Sequence, residues 1–180
     1  MLDLQLDGDD AAQATAFEAQ AQSSAQAVKQ LAQGVQCGTF SLAFNFDWAR
    51  QIVDEFELVP VPRAPGWVLG AVNVNGLIVP VVDLANYFSG VSTPAQLERG
   101  QRLLLGGVQS EDAEGALALA FSLTPVQLEY TSQPLAELQA LPERLKEVCQ
   151  GGAGDDQGRL FIEIDPKRLM DALSAELSVI

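Results

Sequence analysis

Four carboxylates lie close together in one short stretch of the chain, at Asp47, Asp54, Glu55 and Glu57. Paired carboxylates can act as the general acid and base of a hydrolase. No other feature of the surrounding sequence indicates a substrate cleft, however, and exposed acidic side chains on a strand edge also discourage pairing of sheets between molecules. The pattern therefore favours a solvated acidic edge over a catalytic pair.

A glycine-rich stretch, Gly151 to Gly158, is a second candidate, because such stretches can cradle a phosphate. It lacks the lysine and the serine or threonine of a phosphate-binding loop, and Asp155 and Asp156 would repel an anion. The two aspartates do not have the spacing of an EF-hand calcium loop either. We predict a flexible surface loop here.

Nucleophilic and metal chemistry find little support in the residue types. The chain has no histidine, which removes the most common general base and the usual zinc ligand. Cys37 and Cys149 do not have metal-ligand spacing, and no basic residue near Cys37 would stabilise its thiolate. Asp83 follows an apolar run like a receiver phosphoacceptor, but the alternating strands and long helices of that fold are missing. We expect a core cysteine at position 37, a helix cap at Asp83, and no catalysis, metal or cofactor.

The charge of the chain limits its partners. Twenty-four acidic residues against 10 basic ones give a formal charge of −14. Such a surface repels nucleic acid and anionic lipid, and it favours association with a basic protein; the alternative is that the charge only keeps the protein soluble. The longest apolar run, 77–82, is far shorter than the roughly 20 residues of a membrane span, and the acidic N-terminus is unlike a signal peptide. We expect a cytoplasmic protein that does not insert into a membrane.

The first 33 residues differ in composition from the rest. They are rich in Ala and Gln, and apolar or small residues recur at helical spacing from Phe17 to Leu31. We predict an N-terminal arm over 1–33 with a disordered acidic tip and a helix that packs on this chain or on a partner.

The remainder has the pattern of a β-rich domain over 34–180. Residues 39–46 alternate between apolar and polar, and Asn75-Gly76 between two apolar runs predicts a type I′ hairpin buried on both faces. Asp165 and Pro166 are typical of the start of a closing helix. Further strands are predicted at 35–37, 52–61, 102–108, 115–123, 126–130 and 160–164, and a short helix at 84–88. Many short strands with few helices indicate small barrels or a sandwich.

Residues 59–84, VPVPRAPGWVLGAVNVNGLIVPVVDL, carry a resemblance to a known family. A proline-rich approach, an apolar turn ending in glycine, an Asn-Gly hairpin and a Val-Pro-Val-Val-Asp-Leu strand are similar to the central signature of CheW-like domains. The resemblance extends over about 34–175. It implies a mainly β fold of two five-stranded SH3-like barrels packed through a shared core, with short helices and a C-terminal helix.

The resemblance also implies a function. A CheW-like protein is a non-catalytic adaptor that couples the cytoplasmic tip of a chemoreceptor to the regulatory domain of a CheA-type histidine kinase, in arrays at the membrane. By resemblance, the receptor-contacting surface lies in the groove between the barrels around Gln51, Ile52, Gly70, Asn75 and Gly76. The kinase surface is expected at exposed apolar positions on barrel edges.

Two of these positions depart from the family pattern. Asn75 replaces the usual arginine of the hairpin, and Gln51 replaces the usual acid. Losing the arginine removes a charge-assisted contact, which can contribute about 1.5–3 kcal/mol. The departures fit a specialised member, for example one serving type IV pilus (twitching) motility; alternatively, Asn75 only optimises the turn. A β-barrel enzyme is the remaining alternative, although no cluster of polar residues indicates a pocket for one.

Overall fold

A computed structural model describes residues 29–91, 93–107 and 115–177. Nine strands and three α-helices occur in these ranges, with a short 3₁₀ helix at Leu138–Ala140. The predicted arm up to residue 28 lies outside the described residues. The strands are β1 (Gln30–Cys37), β2 (Phe40–Asn45), β3 (Ala49–Val53), β4 (Val68–Val74), β5 (Leu77–Val82), β6 (Arg102–Gly106), β7 (Leu117–Tyr130), β8 (Cys149–Gly154) and β9 (Leu160–Ile164), and the helices are α1 (Leu84–Ser89), α2 (Glu143–Val148) and α3 (Pro166–Leu177).

The strands form two five-stranded barrels that share the long strand β7. Barrel 1 contains the second half of β7 followed by β1, β2, β9 and β8. Barrel 2 contains β3, β6, the first half of β7, β5 and β4. A single bridge closes each ring, Gln133 with Gly152 in barrel 1 and Val59 with Ala71 in barrel 2. The predicted pair of small barrels is confirmed.

Alternation along the strands divides the apolar residues among three clusters. In β6, Leu103 and Leu105 point into barrel 2, whereas Leu104 points outward into a cluster between the barrels. In β7, Ala118 lies inside barrel 2 and its neighbour Leu119 joins the same outer cluster. Successive side chains on a strand point to opposite faces, so one strand can serve both cores at once. The predicted shared core is therefore built from the outward faces of both barrels.

The helices cover the shared core. Asp83 caps α1 as predicted, because its carboxylate accepts a hydrogen bond from the backbone N–H of Asn86 at 3.0 Å. Trp67 packs edge-on against Tyr87 of α1, with ring centroids 5.2 Å apart. The closing helix α3 begins at Pro166, as predicted, and buries Leu169 and Leu173 in the shared core.

The predicted loop at Gly151 to Gly158 is wrong over its first half. Residues 149–154 form β8, which pairs with β9 and is buried at Gly151, Gly152 and Ala153. A side chain at Gly152 would lie 2.9 Å from Leu135, so the glycine permits a close approach of chain segments. Only 155–158 form a turn, in which the Asp155 carboxylate accepts hydrogen bonds from the backbone N–H groups of Gln157 and Arg159.

Three further expectations need correction. Strand β1 begins at Gln30, so residues 30–33 belong to barrel 1 rather than to a helical arm; Ala32 is fully buried there. The segments predicted as strands at 115–123 and 126–130 are one strand, β7, which carries a bulge opposite β1. The extended stretch predicted at 52–61 is strand only to Val53.

Candidate functional site

An open apolar groove of about 630 Å³ lies between the outer face of barrel 2 and helix α3. Three segments that are distant in sequence form its walls: the turn 61–65, strands β4 and β5, and α3. The lining is apolar over almost its whole length, and it includes Val61, Pro62, Ala64, Pro65, Trp67, Val68, Ile78, Pro80, Val82, Ala116, Leu117, Met170, Leu173 and Leu177.

The period of β5 explains why its outer side is apolar. Val79 and Val81 point into barrel 2, which leaves Ile78, Pro80 and Val82 on the opposite face. Ile78 is 65% exposed, which corrects the prediction that both faces of this hairpin are buried. Large apolar side chains gathered on an exposed concave surface mark a site for a partner.

The turn 61–65 forms the rim of the groove opposite α3. Pro62 and Pro65 restrict its backbone, and Arg63 between them has a left-handed conformation with φ of 60°. The carbonyl oxygen of Pro65 accepts a hydrogen bond from the Val68 N–H at 2.9 Å, which joins the turn to β4. The rim is therefore held in one shape by its own sequence.

The five residues expected at a receptor surface all lie on strands of barrel 2 or in the turn between them. None of them lines the apolar groove. Gln51 is exposed on β3, whereas Ile52 is partly buried and packs against the shared core. Gly70 is buried on β4, where a Cβ atom would lie 2.6 Å from the carbonyl oxygen of Val59. The bridge between Val59 and Ala71, which closes barrel 2, brings the Val59 carbonyl this close and so explains why position 70 is a glycine.

Asn75 and Gly76 form the exposed turn between β4 and β5. Their φ angles are 53° and 91°, which confirms the left-handed hairpin turn. The carboxamide oxygen of Asn73 accepts a hydrogen bond from the Gly76 N–H at 2.8 Å. Asparagine tolerates positive φ better than arginine, so turn geometry accounts for Asn75. The turn lies two residues from Ile78 and is continuous in sequence with the groove.

The two cysteines lack the environment of a reactive thiol. Cys37 is buried, and burial, with a smaller contribution from the Asp83 charge, raises the pKa of its thiol to about 12. Burial also raises the pKa of Cys149. Both thiols therefore remain protonated and unreactive at neutral pH. Among the described residues, no group of three or more His, Cys, Asp or Glu side chains is placed to hold a metal ion.

Sequence reasoning missed one buried charged residue, Glu163 on β9. Its carboxylate accepts hydrogen bonds from Tyr130 at 2.5 Å, Ser132 at 2.5 Å and Gln150 at 2.6 Å. These donors come from the end of β7, the segment after it and β8, so the cluster lies where barrel 1 closes. Because all of its hydrogen-bonding partners belong to the barrel wall, we interpret Glu163 as a structural residue. An acid between Ile162 and Ile164 in a strand is the sequence signal that could have indicated it.

No helix in the described ranges is both long enough and apolar enough to cross a membrane.

Comparisons with known proteins agree with this architecture. Residues 32–174 match the sequence model of a protein family described as the CheW-like domain. The chain is 36% identical over 139 residues to the chemotaxis protein CheW of Thermotoga maritima, which covers 77% of this chain and 86% of that protein. The crystal structure of the scaffolding protein TtCheW from Thermoanaerobacter tengcongensis superimposes with a TM-score of 0.58 at 14% identity, over 77% of this chain and 90% of that one.

Proposed function

The chain belongs to the CheW-like domain family, and we propose that it is a non-catalytic adaptor that couples chemoreceptor tips to a CheA-type histidine kinase. Its role as a chemotaxis adaptor follows from the family. We further propose that it lies in the cytoplasm, at membrane-associated receptor arrays, and that it binds its two partners through separate surfaces.

The apolar groove is the observation that supports receptor binding most directly. A groove that is open along its length and lined by aliphatic side chains fits the apolar face of an amphipathic helix. Ile78, Val61 and Leu177 supply its most exposed apolar side chains. We propose that a helix of the receptor tip lies along this groove.

The receptor surface predicted from the family extends this site. The turn at Asn75 and Gly76 follows directly from the hairpin that carries Ile78, so a helix in the groove can continue over it. Gln51 is exposed on β3 and can contribute a polar contact at the edge of the same barrel. Ile52 and Gly70 support the surface from below, because each is at least partly buried.

The kinase regulatory domain requires a separate surface, since an adaptor must hold both partners at once. Exposed apolar positions on barrel 1 remain available, among them Leu31 at the start of β1 and Leu160 on β9. We propose that the kinase uses this barrel.

Direct binding of purified components tests the proposal. Titration calorimetry of the full chain with a receptor cytoplasmic-tip fragment should give a measurable Kd, and Ile78→Asp should weaken it about tenfold or more, because a buried anchor contributes at least about 1.4 kcal/mol. Leu160→Asp is the matched control: it places the same charge on a similarly exposed apolar residue outside the groove. If well-folded protein bound neither the receptor fragment nor the kinase regulatory domain, the proposal would be wrong.

A further inference from the structure

The apolar groove contains a single charged side chain among its described lining residues, and that side chain is Arg63. This is unexpected in a chain with 24 acidic and 10 basic residues, in which a charge chosen at random would more often be negative. The sign of the charge at the rim therefore carries information about the occupant, since electrostatic complementarity sets partner choice and register.

Arg63 also differs from most other basic residues in having no internal partner. Seven Lys and Arg side chains form ion pairs within the described ranges, including Arg102 with Asp54 and Arg144 with Glu176. Arg63 has no hydrogen-bond or ion-pair partner among the residues that the structure describes. No acceptor within the described residues occupies its guanidinium group, so a partner protein can supply one.

The backbone at Arg63 is held in a conformation that its residue type disfavours. A φ of 60° is unfavourable for a residue with a Cβ atom, and glycine would adopt it more readily. Strained residues of this kind persist where the surrounding structure enforces them, and they concentrate at functional sites. Here Pro62 and Pro65 restrict the turn, which fixes the position of Arg63 in the groove lining.

We propose that Arg63 determines the specificity of the groove by pairing with a carboxylate beside the apolar stripe of the docked helix. The inference rests on the proposed function and specifies the ligand: an amphipathic helix of the receptor tip with apolar residues at i, i+3 or i+4 and i+7, and an Asp or Glu on the flank of that stripe. A guanidinium group pairs with a carboxylate through two parallel hydrogen bonds, which fixes the register of the helix along the groove.

Arg63 also supplies a cation at the groove that the hairpin, with Asn75 in place of the family's arginine, does not supply. The family resemblance places a cation where Asn75 stands, and Arg63 supplies a cation on the opposite side of the groove from α3. A receptor partner matched to this chain therefore carries its acidic residue opposite the 61–65 turn.

Binding of the full chain to a receptor cytoplasmic-tip fragment, measured at several salt concentrations, tests the inference. Arg63→Gln should raise the Kd about tenfold and flatten its dependence on salt. Arg63→Gly should weaken binding to the same extent while the thermal midpoint stays equal or rises, because glycine relieves the unfavourable φ. Arg99→Gln is the matched control, since Arg99 is exposed, has no ion pair among the described residues and does not line the groove. Its Kd should stay within twofold of the unmodified chain.

A charge reversal provides the positive test. Arg63→Glu should abolish binding, and replacing one acidic residue of the receptor fragment by Lys should restore it. If Ile78→Asp weakens binding but Arg63→Gln stays within twofold with the same salt dependence, the inference is overturned and the proposed function stands. If both variants bind like the unmodified chain, the groove is not the receptor site, and both the inference and the assignment of the receptor helix to the groove are overturned.

Discussion

Removing the hydroxyl group of Tyr130 should reveal how strongly the Glu163 cluster holds barrel 1 closed. The Tyr130 hydroxyl donates to the Glu163 carboxylate at 2.5 Å, and both residues are buried. A hydrogen bond to a charged group contributes about 1.5–3 kcal/mol, so Tyr130→Phe should lower the free energy of unfolding by about 2 kcal/mol. For a chain of this length that loss corresponds to a fall in Tm of about 4–8 °C.

Thermal unfolding followed by circular dichroism measures the change, and a double-mutant cycle assigns it. Glu163→Gln alone should also destabilise the protein, because a carboxamide cannot accept from Tyr130, Ser132 and Gln150 in the same way. In the double variant the two losses should be less than additive, since they remove the same interaction. A change in Tm below about 1 °C for Tyr130→Phe, or strict additivity with Glu163→Gln, would refute the role given to the cluster.

Four other substitutions follow from the same geometry. Asn75→Arg should lower stability by about 1 kcal/mol in urea unfolding, because arginine disfavours positive φ; an unchanged midpoint would contradict the turn explanation. Leu123→Gly should raise the thermal midpoint or leave it equal, since Leu123 is exposed with φ of 64°, and a fall would contradict this. Gly70→Ala should destabilise by about 1–3 kcal/mol, because its Cβ would meet the Val59 carbonyl; native-state hydrogen exchange should show the bridge opening first. The free energy of unfolding should decrease as the pH rises above about 9, because the pKa of Cys37 is about 12 in the folded state and lower in the unfolded state. Cys37→Ala should make the slope of the unfolding free energy against pH shallower by about 1.4 kcal/mol per pH unit.

The elements that could be predicted from the sequence are those set by local chemistry. The Asn75-Gly76 turn, the Asp83 cap and the start of α3 at Pro166 each depend on a few adjacent residues whose backbone preferences agree. Strand β2 could be predicted as well, because the alternation of its apolar and polar residues is visible in the sequence. The family resemblance supplied the pairing of the barrels, which no local pattern contains.

The errors arose where a distant segment decides the structure. Gly151 and Gly152 favour a loop by composition, yet they lie in β8 because this segment pairs with β9. The glycines are needed there because Ser132 and Leu135 come too close to allow a side chain. Residues 30–33 continue the helical spacing of the arm, but β7 on one side and β2 on the other make them a strand. Tertiary contacts overrode the local preference in both cases.

The groove itself was missed for a related reason. Its walls come from the 61–65 turn, β5 and α3, and only the folded chain brings these segments together. The sequence did contain a sign, because β5 is apolar on both faces and the apolar stripe of α3 extends to Leu177. Apolar residues on both faces of a strand are typical of burial on both faces, whereas the outer face of β5 is exposed at Ile78.

The same alternation that builds the fold also places the apolar groove. In each barrel the inward side chains pack into an apolar interior, and most outward apolar side chains are used by the shared core. Ile78 and Pro80 occupy positions equivalent to Leu104 and Leu119, but Ile78 is exposed and Pro80 is only partly buried, so part of their apolar area is available to another protein. We therefore expect a docking site where an outward apolar strand face lies beyond the helices that cover the core, which in this chain is between β5 and α3.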